Sequence, residues 1–63
     1  MKPSIGRIVH YNSKNGTCAA LVINVQSDEL IDLQVFDRDG STRHVTSVEQ
    51  GETLGMWNWP PRV

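Results

Sequence analysis

The sequence predicts a small all-β domain. Three observations carry that reading: apolar residues recur with a period of two, turn signals interrupt them at short intervals, and no capping box precedes an apolar run. The first segment, Ser4 to Asn12, is rich in β-branched and aromatic residues and predicts a strand. Ser13-Lys14-Asn15-Gly16 follows, and Asn-Gly between apolar runs is a strong hairpin signal because both residues accept positive φ. From Thr17 to Gln26 the alternation is clean. Ala19, Leu21, Ile23 and Val25 share one face, and Cys18, Ala20, Val22, Asn24 and Gln26 the other. Both sets begin apolar, which predicts a central strand.

Ser27-Asp28-Glu29 predicts the next turn, and Leu30 to Asp37 a third strand with Ile31, Leu33 and Val35 on one face. Arg38-Asp39-Gly40 predicts a second tight turn, and Ser41 to Val48 a fourth strand with Val45 at its middle. Glu49 to Glu52 breaks the pattern as a single 3₁₀ turn. The tail from Gly55 to Pro61 adds a short fifth strand that Pro60 must end. Four to five short antiparallel strands with tight turns predict an SH3-like barrel, whose closure would remove exposed sheet edges.

A chain of 63 residues forms one domain, residues 1–63. A domain this small has little core, and natural examples add disulfides, a metal or a partner subunit. The single cysteine, Cys18, has no internal disulfide partner, and His10 and His44 have no second cysteine to make a zinc spacing. Self-association as a homo-oligomer, from dimer to hexamer, is therefore the expected supplement. Six basic and seven acidic residues give a net charge of −1, without the basic stripe that long nucleic acids require. Two or three placed cations would still serve a small phosphorylated ligand. No apolar run approaches the ~20 residues of a membrane span, and no secretory h-region stands out. A cytoplasmic protein is expected.

Trp57-Asn58-Trp59 is the most informative triplet. In extended backbone both rings fall on one side, about 6.5–7 Å apart, either closing the barrel as core or forming a flat platform on which a nucleobase stacks. One ring packed and the other presented is a third outcome. Arg7 and Tyr11 share a face of the first strand and pair a phosphate-binding group with an aromatic one. Lys2, Arg38, Arg43 and Arg62 are the other useful cations. Lys2 and Arg62 flank the termini, which in a small barrel lie close, so both could border the tryptophans. No phosphate loop, nucleophile elbow or metal motif is present, which predicts a binder without cofactor rather than an enzyme.

Lys2-Pro3-Ser4-Ile5-Gly6-Arg7-Ile8-Val9-His10-Tyr11 and Gly55-Met56-Trp57-Asn58-Trp59-Pro60 together resemble a family of small phage and prophage proteins. That family opens on Lys-Pro-Ser-x-Gly-Arg-x-Val-x-Tyr and closes on Gly-x-Trp-x-Trp-Pro. The resemblance extends to the anti-CBASS sponges, immune-evasion proteins that oligomerise and sequester cyclic nucleotide alarm signals. It covers the two ends of the chain; the middle matches in strand spacing alone. It implies non-covalent capture of a cyclic di- or oligonucleotide between subunits in the cytoplasm of an infected bacterium. Lys2, Ser4, Arg7, Tyr11, Trp57, Trp59 and Pro60 are the residues so implicated, with Arg62 added by its position. The chain departs from the pattern at Met56 and Asn58, where relatives carry Thr and His, which puts ligand specificity in doubt. Such a sponge would bind on the order of nM, about −12 kcal/mol. A module that blocks a host protein through its Trp-bearing face is the alternative, and a nuclease that destroys the signal a third reading.

Overall fold

The computed structural model describes residues 2–14 and 16–61. Its elements are β1 (Ile8–Ser13), β2 (Gly16–Val25), β3 (Ile31–Phe36), β4 (Thr42–Val48) and β5 (Trp57–Asn58). They form one antiparallel sheet in the order β4-β3-β2-β1-β5. The all-β expectation holds, and β2 lies at the centre, as its two apolar faces require. No described helix is long and apolar enough to cross a membrane.

One face of the coiled sheet closes over the core. Val9, Cys18, Ala20, Val22, Ile31, Leu33, Val35, Val48 and Trp57 are buried there, with Tyr11, Val25, Val45 and Trp59 packed around them. The alternation left open which face of β2 points inward; it is that of Cys18, Ala20 and Val22. A register shift between Val22 and Asn24 then inverts the parity, so that Val25 turns to the core while Ile23 faces out.

Two bulges converge on one side chain. The second shift lies between Ile31 and Leu33, opposite β4, where Ser47 adopts a φ of +53°. Asp32 sits between the two. Its carboxylate accepts the Ser47 N–H at 2.9 Å, Asn24 Nδ2 at 3.1 Å and Gln26 Nε2 at 2.8 Å. One residue of β3 thus holds the irregular stretches of both neighbouring strands, and bulges bend and twist a sheet at such points.

Two boundaries differ from expectation. The first strand begins at Ile8 rather than Ser4, because Arg7 N–H bonds Ser4 O at 3.1 Å around Gly6, whose φ of +92° makes a turn. Residues 49–52 form no 3₁₀ turn: Gln50 makes an isolated bridge and a bend follows at Gly51 and Glu52. The fold is the small barrel-like one expected, with a sheet that is not fully closed. Among the described residues its two ends meet at a parallel bridge between Gln50 and Trp57, where Trp57 N–H donates to Glu49 O at 3.0 Å and Gly51 N–H to Trp57 O at 2.9 Å, and Gln50 Nε2 donates to Asn58 Oδ1 at 3.4 Å.

The Asp32 network predicts an acid dependence. The Ser47 backbone N–H, and then the amides of Asn24 and Gln26, hold the Asp32 carboxyl below the ordinary carboxylate range. Asp39 is lowered likewise by the Ser41 hydroxyl and N–H. A depressed folded value gives stability that is complete above the unfolded value of about 3.9 and is lost as pH falls through the folded one. The melting temperature should therefore drop below about pH 4. Asp32→Asn should have a lower melting temperature at neutral pH and a shallower acid slope. Parallel acid slopes in the two proteins would refute this role.

Candidate ligand-binding site

The two tryptophans divide their roles. Trp57 is fully buried in the core, and its Nε1–H donates to Glu29 O at 2.8 Å, tying β5 to the β2–β3 turn. Trp59 is half-buried and meets Trp57 with ring centroids 5.5 Å apart at 83°. That edge-to-face geometry is favourable for packing, by about 0.5–1.5 kcal/mol, but it makes no flat platform. Only Trp59 is left with an exposed part.

The remaining motif residues fall into two places. Lys2, Ser4 and Arg7 are exposed around the turn that precedes β1. Lys2 Nζ lies 3.8 Å from Asp28 of the β2–β3 turn, in an ion pair open to solvent, which contributes little. The β1–β5 register pairs His10 with Asn58 and sends the chain back toward Ile8 and Arg7. Trp59 and the exposed Pro60 therefore run toward the same end as Lys2, Ser4 and Arg7. Arg62 lies outside the described residues. Tyr11 is separate: four residues along β1 place it about 13 Å from Arg7, opposite Cys18 on one side and Trp57 on the other. The expected Arg7–Tyr11 pairing does not form a single contact point.

Tyr11 lines a concavity of about 600 Å³ at the other end of the sheet. The β1–β2 turn, the β3–β4 turn and the loop at Leu54–Gly55 enclose it, with Cys18 among the lining residues. Arg43 is fixed on its wall, donating from Nε to Asp37 Oδ2 at 2.9 Å and from Nη2 to Asp37 Oδ1 at 3.1 Å. Asp37 thereby keeps the guanidinium more firmly protonated than usual, and Tyr11 and Cys18 lie near enough to act on it electrostatically. Cys18 Sγ is 3.8 Å from Asp37 Oδ1.

Both carboxylates at this site are occupied, Asp37 by Arg43 and Asp39 by Ser41. Arg38 and Lys14, also in the lining, have no ion-pair partner among the described residues. Gly16 seats Arg38: a Cβ on Gly16 would lie 3.3 Å from Arg38 Nη2, and its φ of +115° favours glycine besides. Three cations, a phenol ring and the exposed Leu54 thus surround an opening whose size falls within the usual range for small-ligand sites. No group of three or more metal-ligating side chains occurs among the described residues.

Arg38 and Arg43 were legible as cations, but their convergence with Tyr11 was not. The signal lay in the β3–β4 turn, since pairing Val35 with Arg43 puts Asp37 diagonally across from it. Comparison with protein-family models, curated proteins and solved structures found no match to this chain.

Proposed function

We propose that this protein captures a cyclic di- or oligonucleotide and holds it without cleaving it, as a phage immune-evasion sponge would. The observation that carries the reading is the Tyr11 concavity. A ligand of this class offers flat bases and phosphates; the opening offers an aromatic ring, apolar Leu54 and the uncommitted charges of Arg38 and Lys14. Charge-assisted contacts from guanidinium to phosphate are the strong kind, so a chain of net charge −1 can still hold an anion locally. The end motifs support the same reading through their resemblance to sponge proteins. The exposed Lys2, Ser4, Arg7 and Pro60 and the half-buried Trp59 lie toward the other end of β1, where a larger ligand or another subunit would reach them.

The test is a panel of cyclic nucleotides in a thermal-shift assay, followed by chromatography of the ligand released on denaturation. At ~1,000 times Kd, binding adds about 4 kcal/mol of stability, a rise of more than about 15 °C for a domain of this size. One member of the panel should produce that rise and return intact. No shift across the panel would refute capture, and a cleaved product would make the protein an enzyme instead.

A further inference from the structure

We propose that Arg43 reads a base of the captured nucleotide, and that the base it selects is guanine. The selection rests on the capture reading, since it concerns the same concavity, but neither end motif includes Arg43. The register places the side chain. Arg43 pairs with Val35, and Val35 with Ala20. Both partners are buried on the core face, so Arg43 rises from that face too. The next row on the same face holds Tyr11 and Cys18, paired across β1 and β2. Arg43 and Tyr11 therefore face one opening, with Leu54 also in its lining.

Asp37 fixes how Arg43 can be used. Its carboxylate accepts Nε–H at 2.9 Å and Nη2–H at 3.1 Å, which sets the plane of the guanidinium and occupies one edge. The terminal edge, with N–H groups on Nη1 and Nη2, makes no hydrogen bond among the described residues. The side chain is 48 % exposed, so that edge is within reach of a ligand. Charge then sorts the ligand's groups. The Arg43–Asp37 pair is neutral as a unit and attracts a phosphate less than Arg38 and Lys14 do, which have no ion-pair partner among the described residues. Phosphates go to those two, and Arg43 is left for an uncharged group. Its free edge presents parallel donors in one plane. Guanine answers with adjacent acceptors, O6 and N7, the commonest specific partner of a forked arginine. Adenine puts its N6 amino group, a donor, where O6 would be, and the pyrimidines lack N7. Held by Asp37, the guanidinium cannot turn away from that amino group, and it has no acceptor of its own. The Tyr11 ring supplies the surface against which the purine packs.

Titration calorimetry of the full chain with cyclic di-GMP, 3′,3′-cyclic GMP-AMP and cyclic di-AMP tests the selection. The wild type should bind cyclic di-GMP about 10- to 100-fold more tightly than cyclic di-AMP, with the mixed dinucleotide between them. Arg43→Lys keeps a charge beside Asp37 but loses the planar fork, so the gap should shrink to less than about threefold. A loss of stability alone would lower both affinities together and leave their ratio unchanged. Equal affinity for the two symmetric ligands, a preference for cyclic di-AMP, or a ratio that survives Arg43→Lys would overturn the selection while leaving capture standing. Binding of none of the three would refute capture of a cyclic dinucleotide, and the selection with it. Should Arg43→Lys fail to fold, NMR of ¹⁵N-labelled wild type decides. The Arg43 guanidinium signals should shift with cyclic di-GMP and stay in place with cyclic di-AMP; no shift with either would refute the contact.

Discussion

Trp57→Ala should remove half or more of the chain's stability at 25 °C. A domain of this size holds on the order of 3–9 kcal/mol of stability at the usual ~0.05–0.15 kcal/mol per residue, and truncating a buried tryptophan costs about 3–5 kcal/mol. The indole also carries the bond to Glu29 O at 2.8 Å, whose loss adds about 1 kcal/mol. Its backbone makes the bridge between the two ends of the sheet, so the cavity would open where the sheet is least continuous. Trp57→Phe, which keeps most of the volume and loses the N–H, should fold with a lower urea midpoint. Trp59→Ala should cost less, because the ring is half-buried. Urea denaturation followed by circular dichroism separates the three. A folded, near-wild-type Trp57→Ala would mean that this indole is not the keystone of the core.

The second large effect concerns the ligand. Arg38→Glu should weaken cyclic-nucleotide binding by at least about 100-fold, equivalent to about 2.7 kcal/mol, since it both removes a donor and sets an anion beside the phosphate. Because Arg38 is exposed and makes no ion pair among the described residues, the melting temperature of the free protein should hardly move. Arg43→Ala would confound the two effects: it strands Asp37, whose carboxylate it satisfies twice, so both stability and affinity should fall. Arg7→Glu, on the separate surface before β1, should change affinity by less than about threefold if the Tyr11 concavity holds the ligand. Titration calorimetry on the folded variants reads all of this. Wild-type affinity in Arg38→Glu would remove the concavity from the account.

The strand pattern was legible because burial on a sheet imposes a period of two, and Ile31, Leu33 and Val35 obey it without interruption. Where the period fails, so does the reading. Ile23 and Val25 share a face by simple alternation, yet the bulge at Val22–Asn24 separates them, and bulges leave no periodic mark. The late start of β1 had a signal in Gly6, whose positive φ suits a turn better than a strand interior. The site was harder to read than the fold. Trp57 and Trp59 were legible as a pair, but only packing decides which ring is core, and the N–H bond from Trp57 to a carbonyl 28 residues away is invisible in the chain order. Lys14, Arg38 and Arg43 looked like scattered surface charges because nothing local in sequence says that two turns and the Leu54 loop meet at one end.

Backbone amide shifts of ¹⁵N-labelled protein, titrated with the cyclic nucleotide that gives the largest thermal shift, test the central claim most directly. Perturbations should concentrate on Tyr11, Cys18, Arg38 and Arg43, with Lys2, Ser4 and Arg7 little changed. Perturbations confined to the turn before β1, or none at saturating ligand, would contradict it.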